Sequence, residues 1–410
     1  MSRRLCAGLA LLIFVAGCDG RQASLARVQP AHNVGLQLEH NQQQACVADY
    51  HASVDYFPEH VRFNWSDQLS VEYGLNFKRL RFHSSVNAGE PLEILLVQCG
   101  TPTPAHSPST LVVQVPIQRL ATGNSAMLGA ADELGIVDRL VGIENIRAPT
   151  VESVRKRIAS GHIQELWGNA HSNIEPIMAA QPDVYLSFFS AYPQYNIHPQ
   201  LQLVGVKALP QADHLESHPL GRAEWLKFLA LLVNHEAKAN RQFASIERDY
   251  LNRAALTKDV QLRPLVMVGF PSGRSSFEVF GGLNQRARLI ADAGGHFVLD
   301  QSREHGSLVQ VSFEHIYEKG AAAPFWLGAK PGYASLQQML ATSPQSAWFR
   351  AAREGRVYAF DQGYTGAWAS PYQDQSMTRP HLLLAELIQI LHPQLSTSPL
   401  PTNVFVRKLP

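Results

Sequence analysis

From residue 111 to residue 391 the sequence alternates short apolar runs with amphipathic segments, and this alternation constrains the fold most strongly. Strands that alternate with helices form parallel sheets with helices on both faces. The pattern therefore predicts an α/β protein. The predicted strands are 111–117, 140–143, 184–186, 265–268, 297–299 and 357–360, and the predicted helices include 125–134, 173–180, 285–293 and 380–391.

One long stretch, residues 221–257, interrupts the alternation. Its apolar residues recur at helical spacing, and charges fill the other face. Within this stretch no Gly or Pro occurs after Gly221. It predicts one long helix joining an N-terminal α/β lobe (110–215) to a C-terminal α/β lobe (262–395). Two lobes joined by one helix are more typical of a binding protein than of an enzyme.

A different pattern precedes the lobes. Residues 69–73 and parts of 77–82 alternate polar and apolar side chains, and 92–97 is an apolar run. A Pro- and Ser-rich stretch then separates this region from the first lobe. We predict a small β module over 41–108, preceded by a polar tether over 18–40.

The N-terminus carries a targeting pattern. Arg3 and Arg4 are followed by about twelve apolar residues, too few to span a bilayer as a helix. Val15-Ala16-Gly17-Cys18 closes the run and resembles the lipobox of bacterial lipoproteins. That resemblance implies a signal peptide over 1–17, acylation of Cys18 and a lipid-anchored protein on the periplasmic face of the cell membrane. The alternative is an accidental cysteine in an ordinary signal peptide.

Charge and cysteine usage narrow the function classes. Of 35 basic residues, Arg3 and Arg4 leave with the signal, so 33 remain against 34 acidic residues. This balance argues against nucleic-acid binding, which needs a clustered basic surface.

Of the four cysteines, Cys46 and Cys99 remain in the mature domain. In an oxidising compartment they would form a disulfide; two free buried thiols are the alternative.

Several motifs, in their order along the chain, carry a resemblance that extends from Val113 to Leu395. The motifs are 134–142, 173–177 with 181–184, 311–314 and 379–393, together with 55–58 and 98–102 in the β module. Through them the chain resembles the periplasmic substrate-binding proteins of ABC importers for cobalamin and ferric-siderophore complexes, in a subgroup of larger lipoproteins.

The resemblance implies two Rossmann-like lobes bridged by one rigid helix, with ligand held between them. It also implies that Glu175 and Glu314, one per lobe near a helix start, dock against arginines of a permease dimer. The alternative is that each glutamate only complements its helix dipole. The chain itself is expected to act as a monomer.

Ligands of open α/β sheets lie at the carboxyl ends of the strands. This rule selects loops in both lobes, and the alternative for each aromatic residue is packing between lobes. For Arg274 the alternatives are pairing with an anionic chelate or with Glu278. The predicted ligand-binding residues are Ser125, Trp167, Phe188, Tyr192, Arg274, Tyr364 and Trp368.

No catalytic motif was found in the sequence, and the 17 histidines show no zinc-binding spacing. We therefore expect neither an enzyme nor a resident metal or cofactor. An iron-siderophore, haem or a cobalamin-like molecule would each suit an aromatic cleft. The alternative function is a metal- or haem-binding chaperone or sensor lipoprotein without a permease.

Overall fold

The computed structural model describes residues 37–87, 90–166, 174–190, 196–273, 275–304, 306, 308–366, 369–395 and 403–410. The predicted signal peptide and Cys18 lie outside these residues. Within the described part of the chain, no helix is long and apolar enough to cross a membrane.

The β module is a four-stranded sheet in the order β1-β2-β3-β4. Its strands are β1 (Leu69–Tyr73), β2 (Phe77–Asn87), β3 (Glu90–Gln98) and β4 (Leu111–Val115). β4 pairs in parallel with β3, whereas the other pairs are antiparallel. The prediction that this strand opens the N-terminal lobe is therefore wrong, since an apolar run does not specify its pairing partner. A disulfide joins Cys46 to Cys99, whose Cα atoms are 4.7 Å apart.

The N-terminal lobe is a five-stranded parallel sheet in the order β7-β6-β5-β8-β9. Gly135, in the left-handed region, ends the first helix. In chain order the elements are β5 (Leu120–Thr122), α1 (Leu128–Leu134), β6 (Leu140–Ile143), α2 (Glu152–Ala159), β7 (Gln164–Glu165), α3 (Glu175–Ala179), β8 (Val184–Phe188), α4 (His198–Leu203) and β9 (Ala208–Gln211).

The connection between the lobes is two helices, α5 (Pro219–Val233) and α6 (Glu236–Ala255), and not the predicted single helix. Asn234 ends α5 with φ 60°. Asparagine tolerates this left-handed conformation, so it can end a helix where the sequence offers neither Gly nor Pro. The helices fold back on each other: the Lys227 Nζ lies 3.9 Å from the centroid of the Phe243 ring.

The C-terminal lobe has a five-stranded sheet in the order β13-β10-β15-β16-β17 and a small antiparallel sheet, β11-β12-β14. The main sheet is parallel except for β17. The elements are β10 (Leu265–Val268), β11 (Phe270–Pro271), β12 (Ser276–Val279), α7 (Gln285–Asp292), β13 (His296–Phe297), β14 (Val309–Ser312), α8 (Phe313–Gly320), β15 (Phe325–Ala329), α9 (Leu336–Thr342), α10 (Arg350–Arg353), β16 (Val357–Ala359), α11 (Pro371–Gln375), α12 (Pro380–Leu391) and β17 (Arg407–Lys408).

Part of the predicted C-terminal lobe packs on the N-terminal lobe instead. The Asp374 carboxylate accepts hydrogen bonds from the backbone N–H and the hydroxyl of Thr150, both at 2.6 Å. Nearby, the Thr378 hydroxyl donates to Glu133 at 2.6 Å. The chain therefore crosses between the lobes a second time, and these hydrogen bonds tie the crossing segment to the N-terminal lobe.

The last residues also extend the predicted boundary at 395. β17 adds to the C-terminal sheet, and Phe405 is fully buried. The Glu386 carboxylate accepts hydrogen bonds from the backbone of Val404, Phe405 and Val406. The C-terminus is thus a structural part of the lobe.

The loop 64–67 of the β module is fixed to the interlobe helices, and we call this contact the clamp. The Glu224 carboxylate on α5 accepts backbone hydrogen bonds from Asn64 at 3.0 Å and from Trp65 and Ser66 at 2.8 Å. Glu216, just before α5, accepts from the Ser66 hydroxyl and from the Asp67 backbone. The clamp joins the β module to α5 and to the segment just before it.

Candidate functional site

A cavity of about 510 Å³ lies between the lobes. Its size falls in the range of small-molecule sites. From the N-terminal lobe and α5 it is lined by Asn124, Ala126, Phe188, Asp213, His214 and Arg222. From the C-terminal lobe it is lined mainly by the strand ends and loops of both its sheets, and Phe360, Tyr372 and Gln373 complete the wall.

An aromatic pair forms the N-terminal wall. Phe188, the last residue of β8, stacks on the His214 ring with centroids 4.6 Å apart. Phe188 is 41 % exposed, although the strand leading to it is buried. A large apolar ring left exposed at the carboxyl end of a buried strand is suited to contact a ligand.

Next to this pair lies a buried ion pair. The Arg222 Nε lies 3.0 Å from the Asp213 carboxylate. Burial opposes the charge of Asp213, but Arg222 and neighbouring groups outweigh it and hold the pKa of Asp213 below its ordinary value. Asp213 is therefore an anion whose charge is compensated within the wall.

His214 is neutral at physiological pH. Burial, reinforced by Arg222 and Arg286, lowers its pKa to about 4, although Asp213 acts in the opposite direction. Its Nδ1 atom is buried and has no hydrogen-bond partner. The imidazole thus contributes a flat neutral ring to the wall.

The opposite wall combines aromatic rings with a guanidinium. The Arg286 guanidinium lies 5.9 Å from the centroid of Phe280 and 5.7 Å from that of Tyr372, within reach of cation–π attraction. Tyr372 stacks in turn on Phe360, with centroids 4.9 Å apart. These contacts fix Arg286 at the cavity surface.

Lys330 and Glu278 add one charge of each sign to the lining. With Asp213 compensated by Arg222, the described lining holds two further cations, Arg286 and Lys330, against one carboxylate. The cavity therefore combines aromatic and flat apolar surface with charged groups of both signs.

The predicted ligand-binding residues divide into three groups. Phe188 lines the cavity, and Ser125 lies between the lining residues Asn124 and Ala126. Tyr364 lies outside the lining, and its ring lies beside Gly332. The remaining four, Trp167, Tyr192, Arg274 and Trp368, lie outside the described residues.

The interpretation of Glu278 changes with the fold. Glu278 is four residues after Arg274, a separation of one turn in a helix, but Glu278 lies in strand β12, opposite Phe270 of β11. The helical spacing argument for an ion pair with Arg274 is therefore wrong.

The sequence analysis missed the charged half of the site. Arg222 and Arg286 lie in helices, not in the loops that follow strands, so the strand-end rule did not select them. The available signal was a cation in the first turn of each helix, which is unfavourable for the helix dipole. Such a position is better explained by a partner or ligand than by helix stability.

The two predicted docking glutamates lie on separate lobes. Glu175 is the first residue of α3. Glu314 is the second residue of α8, the helix that the Ser312 side chain caps at its N-terminus. Both side chains are exposed. They are accessible to a partner protein.

The histidines that the structure describes do not gather into a metal site. Among the residues that the structure describes, no three His, Cys, Asp or Glu side chains are placed to hold a metal ion. His218 caps α5 instead, since its Nδ1 accepts a hydrogen bond from Leu220 at 3.0 Å.

A family comparison identifies the fold and the general role. The periplasmic binding protein family model matches residues 120–364, more than half of the chain. The chain belongs to this family. Its members bind small ligands and work with ABC permeases, and they are not enzymes. The β module and the residues after 364 lie outside the match.

Individual relatives agree with this assignment. An uncharacterised lipoprotein of Methanocaldococcus jannaschii is 23% identical over 69% of this chain and 67% of its own. A periplasmic haem-binding protein of Pseudomonas aeruginosa has a TM-score of 0.54 at 18% identity, covering 72% of this chain and 98% of its own. The Helicobacter pylori CeuE protein, solved as a Ni-His complex, has a TM-score of 0.52 at 16% identity, covering 69% and 85%. These structures share the two-lobed α/β fold.

Proposed function

We propose that this chain is the lipid-anchored substrate-binding protein of an ABC importer. It captures an iron-chelate or cobalamin-like ligand between its lobes and delivers it to a permease dimer. The observation that carries this proposal is the interlobe cavity, which combines the Phe188–His214 pair with Arg286 and Lys330. The lipoprotein names of the relatives support the anchor at Cys18.

The chemistry of the lining supports a chelate over a bare metal ion. The rings offer flat apolar surface, and the cations match carboxylates, phenolates or phosphate groups on the periphery of a complex. Haem with its propionates, cobalamins with their phosphodiester, and ferric siderophores with catecholate or carboxylate groups meet this description. The metal would arrive inside the ligand as cargo.

A titration tests ligand capture. The mature domain, produced as a soluble chain that begins after Cys18, is mixed separately with ferric siderophores, haem and cobalamins while tryptophan fluorescence is followed. We expect submicromolar binding of one chelate and no comparable binding of free ferric, nickel or zinc ions. Binding of a free metal ion alone would contradict the proposal.

An uptake assay separates transport from sensing or storage. Reversing both predicted docking charges, in Glu175→Lys with Glu314→Lys, should abolish chelate uptake while the purified variant still binds the chelate. Because exposed ion pairs contribute little affinity each, both charges are reversed together. Normal uptake by the double variant would contradict the docking assignment.

A further inference from the structure

We propose that each docking glutamate works with an apolar anchor beside it, and that the permease contact depends on these anchors. The anchors are Met178 on the N-terminal lobe and the Tyr317–Trp348 pair on the C-terminal lobe. This inference rests on the proposed transport function and adds the residues that supply binding energy at the docking surface.

The C-terminal anchor lies directly beside Glu314. Tyr317 follows it by three residues in α8, so both side chains project from the same helix face. Tyr317 is 38% exposed and Trp348 is 53% exposed, with ring centroids 6.0 Å apart. Trp and Tyr dominate the binding energy of protein interfaces.

Buried rings support this exposed pair from below. The Trp348 ring contacts Phe313 at 5.8 Å between centroids, and Tyr317 contacts Phe349 at 5.6 Å. Phe349 packs against buried Trp326 at 5.3 Å. The pair is therefore held in place before any partner arrives, which lowers the entropic cost of docking.

The N-terminal lobe repeats the arrangement. Met178 follows Glu175 by three residues in α3 and is 44% exposed. Methionine adapts its shape to a partner, whereas the C-terminal anchor is rigid. Each lobe thus presents one carboxylate next to one apolar side chain on a single helix face.

Charge favours a permease over a second copy of this chain. Glu314 precedes Tyr317 by three residues in α8 and its side chain is exposed, whereas the charge of Glu318, which follows Tyr317, is paired with Lys319 at 3.6 Å. Two copies meeting at this surface would bring like charges together, which opposes association. A partner with basic and apolar groups, presented once by each of two subunits, matches both lobes.

The test compares an anchor variant with a matched control in cells. Full-length chains with Tyr317→Ala and Trp348→Ala, or with Leu262→Ala at an 81% exposed site, replace the natural copy. Radioiron ferrichrome, radioiron haem and radiocobalt cobalamin are supplied separately at limiting concentration. We expect at least a tenfold fall in uptake for the anchor variant only. Chelate binding by the purified anchor variant should stay within twofold.

Further outcomes decide the inference. Trp348→Phe alone should keep most of the uptake, because it preserves an aromatic anchor. Uptake by the anchor variant equal to that of the control would overturn the inference, and so would a Trp348-dependent dimer in sedimentation. If deleting the whole chain leaves uptake of all three probes normal, the proposed transport function fails, a result that an anchor defect cannot produce.

Discussion

The clamp and the cleft both contain charged side chains, but the Glu224 carboxylate of the clamp is buried, whereas Arg286 and Lys330 of the cleft are half-buried and exposed. In the clamp, Glu224 accepts three backbone hydrogen bonds and one from the Lys227 ammonium at 2.6 Å. In the cleft, Arg286 and Lys330 lie at a cavity surface among rings. Charges enclosed by hydrogen-bonding partners on several elements join those elements, whereas charges at the cavity surface lie where a ligand can contact them.

A second buried charge strengthens the comparison. Lys78 of the β module is fully buried, and its Nζ donates to the Leu231 carbonyl and the Asn234 side chain, each at 2.7 Å, and to Glu236. These partners lie at the junction of α5 and α6. The β module therefore fixes both ends of α5, through the clamp at its start and Lys78 at its end.

The largest expected effect is on stability. Lys78→Met leaves the Glu236 carboxylate buried without its cation, so we expect a loss of about 3–5 kcal/mol in the free energy of unfolding. Chemical denaturation of the mature domain measures it. The double variant Lys78→Met with Glu236→Leu should recover much of the loss, because it removes both charges. A single variant as stable as the natural chain would show that this pair has no structural role.

The next effect concerns ligand affinity. Arg286→Ala removes a cation from the cavity surface and should weaken binding of an anionic chelate about 10- to 100-fold, the range of a charge-assisted hydrogen bond. Arg288→Ala is the matched control, since Arg288 is two residues further along α7 and pairs with Asp292 at 2.8 Å. Equal affinities for both variants in the fluorescence titration would remove Arg286 from the site.

A smaller loss of affinity is expected for the aromatic wall. Phe188→Ala removes a stacking surface worth about 1 kcal/mol, so the dissociation constant should rise roughly fivefold. Leu203→Ala, at an exposed site at the end of α4, should leave affinity unchanged. A larger effect at Leu203 than at Phe188 would place the ligand elsewhere.

The smallest effect is a change in pH dependence. Burial lowers the pKa of His218 to about 4, with Asp292 acting in the opposite direction and Arg288 in the same one. An unfolded histidine binds a proton near pH 6.5, whereas the buried His218 stays neutral until the pH approaches 4. The contribution of His218 to the free energy of unfolding is therefore complete above pH 6.5 and is lost as pH falls towards 4. His218→Asn keeps a helix cap but removes the ring that titrates. The melting temperature of this variant should therefore fall less between pH 6.5 and 4.5 than that of the natural chain. Identical slopes for His218→Asn and the natural chain would contradict this.

The sequence predicted regular elements better than the interactions between them. β10 and α12 have the predicted bounds, because apolar periodicity and flanking prolines mark them locally. The Asn234 break was missed, since a left-handed asparagine depends on its surroundings. The partnership of β4 with β3 and the crossing at Asp374 were missed for a similar reason: both depend on contacts between residues far apart in the chain.

For the candidate site, the rule that ligands lie at strand ends selected one residue that lines the cavity. Residue type alone did not indicate which arginines line it. The loop rule selected Phe188, which lines the cavity, but also Tyr364, which lies outside the lining. Arg222 and Arg286 reach the cavity from helices that follow distant segments of the chain. Only the packing of the two lobes brings these cations together with the rings.

Ligand-induced hydrogen–deuterium exchange tests the central claim, that one ligand contacts both lobes at once. The mature domain is measured with and without the chelate that binds most tightly in the titration. We expect protection of residues 122–126 and 186–190 together with 268–280 and 327–331, and no change in the strands of the β module. Protection confined to one lobe, or located in the β module, would contradict capture in the interlobe cleft.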